Sequence, residues 1–204
     1  GLRIVERLEA REDVTLLSIP EELRKDPQAV AERINASDIT FLCLPDAAAR
    51  EAAALCVNPH TCILDTSTAH RTDPAWAYGF PELSPAHREK IARSRRIAVP
   101  GCHASGFIAV VYPLMAAGVL ARDVFLTATS VTGYSGGGKK MIAAYRAESR
   151  PSGYDAPRQY ALSQTHKHLP EMTAVTGLGT APAFLPIVAD FYAGLVVSVP
   201  LDAP

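Results

Sequence analysis

Over its first hundred residues the sequence alternates short apolar runs with helical patterns, and this alternation restricts the fold more than any other feature of the chain. Leu2, Val5 and Leu8 form a helical stripe among charges, and residues 14–19 read as a buried strand closed by Pro20. Residues 27–35 resemble a helix with proline in its first turn, 38–44 a second apolar strand, 47–57 an alanine-rich helix and 61–65 another strand. Strands alternating with helices of this length favour a parallel sheet covered by helices on both faces. Such a sheet normally begins with a strand and a glycine-rich phosphate turn, whereas this chain opens at Gly1 directly on a helix. Gly1 is therefore read as the last glycine of a G-x-G-x-x-G turn whose strand lies upstream, the alternative being a plain N-terminal helix.

The expected fold class is α/β: a Rossmann-like parallel sheet with its first strand missing, spanning 1–101, followed by an incomplete α+β domain over 102–204. Residues 68–85, with Trp76 and Tyr78, read as an ordered loop, 96–99 as a strand, and 104–120 as a helix kinked at Pro113. In the second half 123–132, 184–187 and 194–201 read as strands, with loops at 133–140 and 148–157. The chain stops after an apolar strand with no closing helix, so truncation is expected at this end too.

Composition excludes several classes. With 48% hydrophobic and 20% charged residues the chain can bury a core, and its formal net charge of −1 offers no footprint for nucleic acid or an anionic membrane. The apolar stretch 107–120 is interrupted by Pro113 and too short to span a bilayer, and the first ten residues are unlike a signal peptide, so a cytoplasmic home is expected. The four cysteines show no CxxC pairing, and no metal site is expected. Cys43, Cys56 and Cys62 are expected to fill core.

Cys102 has different surroundings. In Val99-Pro100-Gly101-Cys102-His103-Ala104-Ser105-Gly106 a strand ends, a Pro-Gly turn follows, and a cysteine opens a helix. The positive end of a helix dipole and its unpaired N–H groups stabilise a thiolate, and the same N–H groups can serve as an oxyanion hole. A single cysteine near a helix start is more often structural, and the local context alone leaves the choice even.

This segment resembles the nucleophile motif of N-acetyl-gamma-glutamyl-phosphate reductases, in particular their shorter subfamily. Five further segments resemble the same family in order. They are Cys43-Leu44-Pro45-Asp46, its cofactor loop; the D-x-S-x-x-x-R segment from Asp65 to Arg71; and Tyr78-Gly79-Phe80-Pro81-Glu82-Leu83. The glycine-rich loop from Val131 to Lys139 and the H-x-H-x-P-E segment from His166 to Glu171 complete the set. The sequence departs from the family at His103, where many relatives carry Tyr. The resemblance implies NADPH-dependent reduction of N-acetyl-glutamyl 5-phosphate to the 5-semialdehyde, a step of arginine biosynthesis, by a homo-oligomer built through the second domain. Thiolate attack on an acyl phosphate gives a thioester electrophilic enough to accept hydride.

A histidine of ordinary pKa suits the proton transfers. His166 and His168 are the candidates, facing one side if their segment is extended, with His168 the favoured base and His166 binding substrate. Gly136 and Gly137 let backbone approach a cofactor, and Ser135 supplies a donor. Leu44 and Pro45 belong to the cofactor loop, and Ser18 stands where an acidic ribose ligand would favour NAD, which points weakly to NADP, with Glu21 keeping NAD open. Arg71 and Lys139 are candidate cations for substrate phosphate or carboxylate, solvated surface charge being the alternative. Glu82 either orients the catalytic groups or is a helix-start residue near Ser84. A related semialdehyde dehydrogenase acting on an aspartyl or aminoadipyl substrate, or a catalytically idle nucleotide-binding module, stays open as a competing reading.

Overall fold

The structure, a computed structural model, describes residues 3–201 of the chain, which divides into two compact units, 1–100 and 101–204. In the first unit the helices form where the sequence punctuates them. α1 (Ile4–Glu9) is short, and α2 (Pro27–Ala36) starts at Asp26, whose carboxylate accepts from the Gln28 and Ala29 amides ahead of Pro27. β1 (Ile39–Leu42), α3 (Asp46–Ala54) and β2 (Cys62–Asp65) follow as the pattern requires. β3 (Ala77–Tyr78), α4 (Pro85–Arg93) and β4 (Arg96–Ala98) complete a four-stranded sheet of order β1-β2-β4-β3, every pair parallel. Ile34, Leu42, Ala52, Ile63, Trp76 and Ala98 close its core. The loop expected at 68–85 therefore contains a short strand, and its Trp76 and Tyr78 are buried.

Two expectations for this unit are corrected. Residues 14–19 do not form a strand. Among the described residues they have no laddered neighbour, and Leu16 and Leu17 stay 40% and 46% exposed. A strand exists through its partner, because an isolated extended segment leaves its backbone donors and acceptors to water. Cys43, expected in the core, is exposed, since β1 ends at Leu42 and the chain turns outward there. Cys56 and Cys62 are partly buried, and burial pushes the Cys62 thiol pKa up.

The second unit begins with α5 (Cys102–Ala116), whose Phe107, Ile108 and Val111 are fully buried and which includes Pro113. It continues through β5 (Thr127–Gly133), α6 (Gly138–Arg146), β6 (Arg158–Gln159), α7 (Leu169–Thr176), β7 (Ala183–Ala189) and β8 (Leu195–Ser198). The sheet order is β6-β7-β5-β8, with β5 and β7 parallel and both edge strands antiparallel. Gly106 allows α5 to lie directly on β8: a Cβ there would stand 2.5 Å from Val197 Cγ2. The loop expected at 133–140 is instead a 3₁₀ turn (Tyr134–Gly137) that passes into α6, and the 104–120 helix starts two residues earlier and stops at Ala116. No helix among the described residues is long and apolar enough to cross a membrane.

Candidate active site

Cys102 is the first residue of α5 and is exposed. Gly101, extended at φ −73° and ψ 145°, ends the preceding turn and contributes no side chain to cap the helix. The turn is fixed from α7: Glu171, 1% exposed, accepts the Gly101 N–H at 2.8 Å. Ser105 returns both its N–H and its hydroxyl to the Gly101 carbonyl. The sulfur thus stands at the positive end of a 15-residue helix, where the terminal N–H groups and the dipole favour an anion.

Three imidazoles gather in the same unit. His103 is 3% exposed, with Nδ1 at 2.7 Å from Ser130 Oγ and Nε2 at 2.7 Å from the Tyr160 hydroxyl. Burial first and the nearby His166 second push its pKa down to about 4, so the ring is neutral at physiological pH. The His166 ring lies 5.5 Å from His103 and 4.7 Å from His168, and His103 lies 5.6 Å from His168. Phe184 on β7 meets His103 and His166 edge-on, at 5.3 and 5.1 Å.

The His166–His168 segment is not extended. His168 precedes α7 with helical φ of −88°, and its N–H donates to His166 Nδ1 at 3.2 Å. The two rings converge because the chain turns, not because alternate residues of a strand share a face. His166 is half-buried, with its pKa lowered by burial and then by Lys167; His168 is buried. Tyr160, also half-buried, has its phenol pushed up to about 12 by burial and by the Cys102 charge.

The glycine-rich loop begins where β5 ends. At Gly133 a Cβ would lie 2.6 Å from the Phe191 carbonyl oxygen and 2.8 Å from that of Tyr192, so the two backbones touch. The Tyr134 and Ser135 N–H groups donate to those same carbonyls. Beyond this clamp Gly136 and Gly137 are exposed, and Lys139 is exposed in the first turn of α6.

In the first unit, Leu44 and Pro45 are exposed between the carboxyl end of β1 and the start of α3. Asp46 accepts from the Thr68 N–H and hydroxyl. Arg71 is 9% exposed, its Nε donating to the Val99 carbonyl and Nη2 to that of Thr66, both at 2.9 Å. Asp65, fully buried, accepts from the Ser67 N–H and hydroxyl and pairs with His70 Nδ1 at 2.7 Å, and His70 stacks on Trp76 at 3.9 Å. Glu82 is exposed ahead of Ser84, which caps α4 through the His87 N–H. Ser18 is exposed on the segment that forms no strand, and Gly1 lies outside the described residues. Sequence reasoning missed Ser130 and Tyr160. Ser130 faces inward in the alternating burial of β5, which marks it as buried but not as a partner of His103, and no local pattern marks Tyr160.

A parallel α/β unit followed by a mixed-sheet unit that opens on an exposed cysteine and holds a histidine cluster defines the class: a two-part α/β chain with a thiol at a helix start. The model for the semialdehyde dehydrogenase dimerisation domain matches residues 102–204, and that for the semialdehyde dehydrogenase NAD-binding domain matches residues 6–91. The chain belongs to the semialdehyde dehydrogenase family. It is 47% identical over 204 residues to an N-acetyl-gamma-glutamyl-phosphate reductase of Chelativorans sp., 99% of this chain and 64% of that protein. It is 46% identical to N-acetyl-gamma-glutamyl-phosphate reductase 2 of Pseudomonas putida, with the same coverage. The chain spans 64% of the length of these curated relatives.

Solved structures agree in fold. Aspartate semialdehyde dehydrogenase II from Vibrio cholerae, complexed with ASA, superposes with a TM-score of 0.58 at 14% identity, covering 81% of this chain and 55% of that one. The Candida albicans aspartate semialdehyde dehydrogenase with NADP gives 0.53 at 13% identity, covering 82% and 52%.

Proposed function

We propose that the complete protein is a cytoplasmic, homo-oligomeric reductase that converts N-acetyl-glutamyl 5-phosphate to N-acetyl-glutamate 5-semialdehyde with NADPH, carrying the acyl group as a thioester on Cys102. The observation that carries the reading is an exposed thiol at the start of α5, in the same unit as two imidazoles that gather at a turn. The names of relatives at 42–47% identity support the substrate.

In this reading the Cys102 thiolate attacks the acyl carbon, the carbon–oxygen bond to phosphate breaks, and phosphate leaves with that electron pair. The α5 N–H groups receive the developing oxyanion. A nicotinamide, when bound, would supply the hydride that reduces the thioester. Leu44 and Pro45 of the first unit, and Ser135, Gly136 and Gly137 of the second, are assigned to that cofactor. Gly136 and Gly137 fit the role because both are exposed and carry no side chain of their own.

The imidazoles divide the proton work. His166 Nδ1 accepts the His168 N–H, so a neutral His166 carries its proton on Nε2 and acts as a donor to substrate oxygen. The base is His168, which takes the thiol proton, returns it to the oxygen as hydride adds, and takes it again as the thiohemiacetal collapses, the carbon–sulfur bond breaking to release the aldehyde and the Cys102 thiolate. Lys139 and Arg71 are assigned to the substrate's anionic groups, and Glu82 to orienting the catalytic groups.

Run in reverse, the complete protein should reduce NADP in the presence of N-acetyl-glutamate 5-semialdehyde and phosphate, and Cys102→Ser should abolish nearly all turnover. Preference for aspartate semialdehyde overturns the substrate; retained activity in Cys102→Ser overturns the chemistry. Light scattering of the complete protein should give a multiple of the protomer mass.

A further inference from the structure

The hydrogen-bond inventory around His103 leads to a donor that the mechanism above does not use. Ser130 on β5 is fully buried, and among the described residues its hydroxyl meets one side chain, His103 Nδ1, at 2.7 Å. A buried hydroxyl proton left without an acceptor costs about 1–3 kcal/mol, so the Ser130 proton points at Nδ1. The His103 ring is neutral, its pKa held near 4 by burial and by His166, and therefore carries its single proton on Nε2. Nε2–H then donates to the Tyr160 oxygen at 2.7 Å.

With its oxygen already accepting from His103, Tyr160 has its own proton left to donate. The phenol is hydrogen-bonded to the residue that follows Cys102 and, with its pKa pushed up to about 12 by burial and by the Cys102 charge, keeps that proton at neutral pH. The opposite direction would strand the Ser130 proton in the core and present only an oxygen lone pair to the cysteine. We propose that Tyr160 is a further catalytic residue, donating a hydrogen bond to the oxygen on the acyl carbon attached to Cys102, with Ser130 and His103 as positioning residues that set its direction. The proposal rests on the thioester reading. No proton is transferred: the bond strengthens as that oxygen gains negative charge during hydride addition and weakens again when the aldehyde forms.

In the complete protein, Tyr160→Phe should lower kcat by roughly 100-fold, the usual effect of removing one oxyanion donor, with KM and the pH 6 alkylation rate of Cys102 little changed. Ser130→Ala should lower kcat less, in the same direction. Nitrogen NMR of His103 in the unsubstituted protein should place the ring proton on Nε2. Wild-type kcat in Tyr160→Phe, a loss of alkylation parallel to the loss of kcat, or a proton on Nδ1 overturns the proposal. Turnover in Cys102→Ser sinks the thioester reading instead, whatever Tyr160→Phe shows.

Discussion

Cys102 and Cys43 are both exposed, so access alone does not separate them. Only Cys102 begins a helix, and a thiolate gains there from unpaired N–H groups and the dipole. At pH 6 iodoacetamide should therefore alkylate Cys102 at least about tenfold faster than Cys43, read by peptide mass spectrometry. Equal rates would remove the electrostatic basis of the site. Gly133 makes a second residue-scale case. A methyl group there must displace the Phe191 and Tyr192 backbone, so Gly133→Ala should cost about 1–3 kcal/mol in urea unfolding. An unchanged midpoint would mean that the contact yields. Cys102 was legible in the sequence because Pro100 and Gly101 end a strand immediately before it. Ser130 and Tyr160 were not, since their partner His103 is 27 and 57 residues away and only the folded sheet brings them together.

At the scale of elements, legibility followed punctuation. α2 and α4 begin with a capping side chain and a proline, and the sequence marks both. Asp26→Ala should lower stability by about 1 kcal/mol, measured by thermal unfolding, because two α2 amides lose their acceptor. β3 is two residues long and exists only by pairing with β4, so no period announces it. Residues 14–19 carry a strand pattern without a partner, and α6 was hidden by three glycines at its start.

The imidazole cluster gives this scale its pH dependence. His103 has its pKa lowered from 6.5 to about 4, and His166 is lowered as well, so the unfolded chain binds these protons first. Stability is complete above the ordinary histidine pKa and drains as pH falls from 6.5 to about 4, by at most about 3 kcal/mol from His103. Urea midpoints taken from pH 7 to pH 4 should fall through that window, and His103→Phe should flatten the fall. A midpoint independent of pH would contradict the buried neutral ring.

Across the whole molecule, the parallel sheet of the first unit and the mixed sheet of the second are the two halves expected of a semialdehyde dehydrogenase family member. The strand–helix alternation made the first readable. The second was readable only as an α+β mixture, because antiparallel edges such as β6 and β8 are too short to show a period. The family motifs were legible one by one, as were His166 and His168 as a pair, but not the turn in which the His168 N–H meets His166 Nδ1. The most direct test of the central claim is to mix the complete protein with N-acetyl-glutamyl 5-phosphate in the absence of nicotinamide, quench in acid, and map the products by mass spectrometry. The account predicts an N-acetyl-glutamyl thioester on the Cys102 peptide with one equivalent of phosphate released. An unmodified Cys102 peptide, or the acyl group on another residue, would contradict it.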